Sequence, residues 1–129
     1  MRNFRELEIW KNGMKICSIV YDMIESFPDS ERYGLRSQIT RCAVSIPSNI
    51  AEGCSRTSEL DFARFLEISL GSCYELETQM IIAKEKFWKE HKDFSSTSDL
   101  LTSQQKMTTA FISKLKQSLK KPLPITQQP

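Results

Sequence analysis

Between Asn3 and Ser26, apolar residues return at alternating steps of three and four: Leu7, Trp10, Met14, Cys17, Tyr21 and Ile24. That spacing predicts a helix, because side chains three and four apart share one face. A second apolar set, Ile9, Ile16, Val20, Met23 and Phe27, runs beside the first. On a helical wheel the two sets together span roughly 200°, about twice what a helix on the outside of a monomeric bundle needs. Glu8, Lys11, Asn12, Lys15, Ser18, Asp22 and Glu25 fill the remaining arc. The excess predicts a second partner surface, and Ile9, Ile16, Val20 and Met23 are assigned to an interface with another subunit. The alternative is a first helix covered by the rest of its own chain.

Pro28 stops this helix, and Ser30 is the expected N-cap of the next. Leu35, Ile39, Cys42, Ile46 and Ile50 form its stripe, and Gly53 gives a natural stop. Pro47 lies inside this run, where it removes one backbone hydrogen bond and costs about 3 kcal/mol in a regular helix. A kink or a break is expected near Ala43 to Pro47, with Ser45, Ser48 and Asn49 serving the freed carbonyls. A third helix opens with Ser58 as N-cap and reaches about Glu90, on the stripe Phe62, Phe65, Leu66, Ser69, Cys73, Leu76, Met80, Ala83 and Phe87. Gly71 in its middle costs about 1 kcal/mol against Ala and implies a packing reason. Thr97 or Ser98 is the expected cap of a fourth helix, striped by Leu101, Gln104, Thr108, Phe111 and Leu115 and ending near Lys121. The pattern predicts an all-α, up-and-down four-helix bundle over residues 1–121, followed by a flexible tail over 122–129.

Composition narrows this picture without changing it. The chain has 129 residues, 40% hydrophobic and 26% charged, with only 4 Gly and 5 Pro. So few breakers argue against an all-β fold with many turns. The start is charged and lacks a signal-peptide core, and no run is long enough to span a membrane. Cys17, Cys42, Cys54 and Cys73 include no Cys-x-x-Cys pair, and are read as free thiols of a cytoplasmic protein.

Enzymatic readings find little support. A di-metal site in a helical bundle needs Glu-x-x-His on two helices. The chain has one histidine, His91, expected at the solvated end of the third helix. There is no zinc-ligand spacing and no phosphate-binding glycine loop. Ser113-x-x-Lys116 and Ser118-x-x-Lys121 match a nucleophile string, but lack its partner motifs. Glu75 and Glu77 point to different faces of a helix and cannot cooperate. No catalytic residue, cofactor or metal site is expected.

Charge, by contrast, is patterned. The net of +2 hides segments of −1 over residues 1–29, +2 over 30–57, −3 over 58–91 and +4 over 92–129. Two readings follow. The basic second and fourth helices either neutralise the acidic third, or present Arg32, Arg36, Arg41, Arg56, Lys114, Lys116, Lys120 and Lys121 to nucleic-acid phosphates. In a ring of subunits such a patch repeats, and its effect on affinity multiplies.

Several strings then occur in order: Phe4-x-x-Leu7-x-x-Trp10, Phe27-Pro28-x-x-Glu31-x-Tyr33-Gly34-Leu35-x-x-Gln38, Ser45-Ile46-Pro47-x-Asn49-Ile50-Ala51-Glu52-Gly53, Arg56, Phe65-Leu66, and Gly71-Ser72-x-x-Glu75-Leu76-Glu77-Thr78-Gln79. Over about residues 4–90 the chain thereby resembles the bacterial four-helix-bundle family named for proteins encoded in intervening sequences of 23S ribosomal RNA genes. Cys54 and Ser55 depart from its pattern, which has Gly-rich or polar residues there. The resemblance implies a homopentamer. It also implies kinship with accessory proteins of diversity-generating retroelements, basic rings that bind nucleic acid and a reverse transcriptase. The expected partners are therefore copies of the chain itself, RNA or DNA, and a nucleic-acid-processing protein. Ser45, Pro47, Asn49, Glu52, Gly53, Gly71 and Glu75 are expected to be structural, with Asn49 and Glu52 in a polar network with Arg41 or Arg56. The expected function is a non-enzymatic homo-oligomeric scaffold that binds nucleic acid in a ribonucleoprotein. The alternative is a module that recruits a partner protein and touches no nucleic acid.

Overall fold

The computed structural model describes residues 2–120; Lys121 and the tail predicted over 122–129 lie outside the described residues. Four helices account for most of the chain: α1 (Glu8–Met23), α2 (Leu35–Cys54), α3 (Glu59–Lys86) and α4 (Phe94–Lys120). No strand occurs among the described residues. Each helix packs on the next, and α4 returns to α1, so α1 and α3 sit diagonally across the bundle. Short connectors make neighbours antiparallel. None of these helices is long and apolar enough to cross a membrane.

The apolar arc of α1 is used mostly by its own protomer, and the stripe assigned to a subunit interface is the more deeply buried of the two. Ile9, Ile16, Val20 and Met23, assigned to a subunit interface, are at most 3% exposed inside the protomer's own core. Of the other stripe, Met14 at 44% and Tyr21 at 45% are exposed, while Leu7, Trp10 and Cys17 pack half-buried against the core and Ile24 is buried in it. Two contacts set this rotation. Gly13 is buried against Ile46 and Pro47 of α2. On the α4 side, the buried Gln104 donates to the Ile9 carbonyl at 2.9 Å and accepts from Asn12 Nδ2 at 2.9 Å. With both neighbours fixed, the branched stripe turns inward.

α2 is one helix through Pro47, not two short ones. Ser69 of α3 donates to the Ile46 carbonyl at 2.8 Å, and Asn49 donates to the Ser45 carbonyl at 2.8 Å. Ser45 and Ser72 hydroxyls meet at 2.8 Å, carrying this network across to α3. Gly53 is no terminator: it lies within the helix, where an added Cβ would stand 2.8 Å from Phe65 Cβ and 3.0 Å from the Phe62 ring. Helix α2 therefore approaches α3 more closely than any side chain permits.

Three boundaries differ from the sequence pattern. α2 is capped by Gly34, not Ser30, because 29–31 form their own 3-10 turn. Ser58 does cap α3, accepting from Asp61 N–H at 3.0 Å, but α3 ends at Lys86. Trp88 then turns inward, 1% exposed, and donates to Ser26 Oγ at 2.8 Å and the Met23 carbonyl at 3.2 Å. It satisfies the end of α1 and stacks with Phe27, sealing that end of the bundle. α4 begins at Phe94, before its expected cap; Thr97 is buried and bonds back to the Asp93 carbonyl at 2.6 Å.

Candidate nucleic-acid interface

The candidate surface starts at the turn before α2. Glu31 folds its carboxylate back to the Leu35 N–H at 3.1 Å, occupying the start of the helix. Gly34 makes room for this, since a Cβ there would lie 2.8 Å from Glu31 Oε2. The turn projects Tyr33 into solvent, 89% exposed. Arg32, Arg36 and Arg41 then converge with Tyr33, Ser37, Thr40 and Val44 on a shallow groove of about 460 Å³. No acidic side chain lines it. Among the described residues, Arg32 and Arg41 make no ion pair, and Arg36 reaches only the exposed Glu25, at 3.9 Å.

The other predicted basic residues do not join this groove. Arg56 sits at the opposite end of α2, about 30 Å away for a helix of this length. It pairs with Glu52 at 3.1 Å and lies over the Phe65 ring. Lys116 pairs with Glu67 of α3 at 2.6 Å, and Lys114 lines a larger groove of about 740 Å³ between α1 and α4. Lys120 is exposed on the last turn of α4, and Lys121 lies outside the described residues. Neutralisation by α3 thus describes α4 at Lys116, while among the described residues Arg36 and Arg41 of α2 make no ion pair with α3. At the Arg56 end of α2, Arg2 grips Glu59 at 2.7 and 2.8 Å, which holds the Glu59 carboxyl below the ordinary carboxylate range.

The residues read as structural sort themselves by contact. Ser45 and Asn49 build the network to α3, but neither Arg41 nor Arg56 enters it; Glu52 pairs with Arg56 within α2 alone. Glu75 accepts from Gln79 at 3.4 Å beside the Cys42 thiol, which burial, with this carboxylate, pushes up to about 11. Gly71 has nothing among the described residues within 4 Å of where a Cβ would be, so no close approach there calls for a glycine. It sits on the outer face of α3 among Ile68, Tyr74, Ile81 and Ile82, each 46–53% exposed. The four cysteines are free thiols, and among the described residues no group of His, Cys, Asp and Glu is placed to hold a metal. His91 is half-buried rather than solvated, with Nδ1 accepting from Asp93 N–H at 3.1 Å and its ring edge-on to Trp88.

The model of the family described as 23S rRNA-intervening sequence protein matches residues 5–110. The chain belongs to this family. The match runs past the strings in the first three helices and takes in most of α4. The chain is also similar in fold to the crystal structure, at 1.70 Å resolution, of a protein of unknown function from the S23 ribosomal protein family of Bacteroides thetaiotaomicron VPI-5482. That alignment has a TM-score of 0.73 at 19% identity, covering 81% of this chain and 95% of the other. No curated protein matches the chain. Within the 23S rRNA-intervening sequence family, then, fold and membership are in hand, and the arginine groove beside α2 is the candidate site. Sequence reasoning found its arginines and noted Tyr33 only as part of a family string, without a site role; its further signal was an aromatic residue flanked by Arg32 and Gly34, outside every apolar stripe.

Proposed function

We propose that the protein is a non-enzymatic helical scaffold that assembles with copies of itself and binds nucleic acid through the arginine groove of α2. The observation that carries the reading is the convergence of Arg32, Arg36 and Arg41 on a groove with no acidic wall. Charges left uncompensated within the protomer are available to phosphates, for which arginine is the best-suited side chain.

Self-association is supported by the two exposed apolar faces. Met14 and Tyr21 mark the outer side of α1, and Ile68, Ile81 and Ile82 the outer side of α3. The two faces lie on diagonal helices and differ in composition. A contact between unlike patches on opposite sides of a subunit is head-to-tail, and it forms a ring when the rotation from one subunit to the next closes. A ring of five is what resemblance to the family implies. Gly71, open within the protomer, suits the close approach of a neighbouring helix there.

Binding is tested by fluorescence anisotropy with an RNA oligonucleotide across a salt series. Affinity should fall with salt, and the triple change Arg32→Ala, Arg36→Ala, Arg41→Ala should both weaken binding and flatten the salt dependence. Undetectable binding at low salt, or a triple variant that binds normally, defeats the proposal. Assembly is tested by light scattering. A mass of 14.9 kDa refutes it, and Ile68→Glu with Ile82→Glu should lower the mass of the assembly.

A further inference from the structure

Nucleic-acid binding in general asks only for positive charge. The groove of α2 also holds an aromatic ring that the fold does not use. Tyr33 is 89% exposed and, among the described residues, enters no aromatic pair and meets charge only at Arg32, whose guanidinium carbon is 5.9 Å from the ring centroid. An exposed ring beside arginines is the arrangement that stacks an unpaired base while the cations hold its phosphates. Bases in a duplex are already stacked on one another and offer no face to such a ring.

The floor of the groove points further. Thr40 spends its hydroxyl proton on the Arg36 carbonyl, at 2.8 Å, which leaves its oxygen as an acceptor. Ser37 adds a second hydroxyl between Arg36 and Arg41. Acceptors at this position suit a ribose 2′-OH, the group by which a protein tells RNA from DNA. Two carboxylates stand nearby and do not block the groove. Glu31 is turned back onto the Leu35 N–H, and Glu25 is 75% exposed and grazes Arg36 at 3.9 Å.

We propose that this groove takes single-stranded RNA, with one base stacked on Tyr33, its phosphates held by Arg32, Arg36 and Arg41, and its ribose against Ser37 and Thr40. The inference rests on the reading of the arginine groove as a nucleic-acid surface and specifies its ligand.

The test compares one unstructured RNA strand, the same strand in an RNA duplex, and the DNA strand of the same sequence, at one salt concentration with the full chain. The single RNA strand should bind about tenfold more tightly than either competitor. Tyr33→Ala should remove about tenfold of that affinity, in line with the loss of one stacked base. Tyr33→Phe should restore it, and the salt dependence should stay unchanged, because no charge is lost. Ultraviolet crosslinking of the bound strand should map to the peptide containing Tyr33. Equal affinity for strand and duplex, or a Tyr33→Ala protein that binds normally, overturns the single-strand assignment while the arginine surface stands. Equal affinity for the DNA strand overturns the ribose contact. Loss of binding by Tyr33→Ala together with a changed assembly mass would place Tyr33 between subunits and overturn its stacking role. Absence of binding to all three probes brings down the arginine surface itself.

Discussion

The two halves of α2 use polar and small residues to opposite ends. In the half from Ser45 to Gly53, the protomer accounts for them: Ser45 meets Ser72, Asn49 returns to Ser45, and Gly53 admits Phe62 and Phe65. In the half from the turn at Arg32 to Arg41, the protomer accounts for almost none of them. Three arginines and a tyrosine stand around an open groove, and a single ion pair at 3.9 Å is all the charge compensation they receive. The first half is constrained by how closely α3 approaches. The second is free of that constraint, and under the proposed function its residues face nucleic acid.

The largest effect expected from breaking this contrast falls on Gly53. Gly53→Ala puts a methyl 2.8 Å from Phe65 Cβ, and neither ring nor backbone there is a flexible chain end. Overpacking of this kind costs about 1–3 kcal/mol, and urea unfolding of the variant should show it as a lower midpoint with an unchanged slope. A midpoint equal to that of the parent protein would mean that α2 and α3 lie further apart. Next comes Ser69→Ala, which leaves the Ile46 carbonyl without its partner across the helices. The loss should be about 1 kcal/mol, read from the same unfolding curves, and stability equal to the parent would show that the bond contributes nothing.

The same contrast explains what the sequence could reveal. Four helices were legible because apolar spacing decides them, and their core faces in α2, α3 and α4 followed. The rotation of α1 was not legible. Its two stripes are similarly apolar, and the choice was made by Gly13 against Pro47 and by Gln104 against the Ile9 carbonyl. Those are long-range contacts without a local signature. Trp88 escaped for a related reason: it lies beyond the end of α3, so no helical period marks it as core, yet it is among the largest fully buried side chains. At the candidate surface, segment charge pointed to α2 and α4. It could not show that Lys116 is spent on Glu67 while, among the described residues, Arg32 and Arg41 make no ion pair.

Cys42 lies where the two halves meet and gives a pH-dependent view of the boundary. Its thiol is pushed from the ordinary 9.0 up to about 11 by burial first and by Glu75 second. The folded protein therefore holds this proton in a range where the unfolded chain has lost it. The contribution to stability is complete below about pH 9 and is lost as pH rises from 9 toward 11. Unfolding midpoints should fall over that window, and Cys42→Ala should flatten the decline. Cys73, pushed up to about 12, continues the trend at higher pH. A decline as steep in Cys42→Ala as in the parent would assign it to other groups.

The smallest expected effect on stability is the most informative. Replacing Arg32, Arg36 and Arg41 together by alanine removes three charges, yet it breaks only one long ion pair, and surface substitutions of this sort stay within about 0.5 kcal/mol each. Alanine also has the highest helix propensity, which offsets part of any loss at Arg36 and Arg41. The triple variant should therefore unfold with nearly the parent midpoint while losing its grip on RNA. That separation is what distinguishes a surface kept for a partner from one kept for the fold. If the variant instead loses stability on the scale of Gly53→Ala, the arginines do structural work, the two halves of α2 are alike after all, and the groove ceases to be a candidate for recognition.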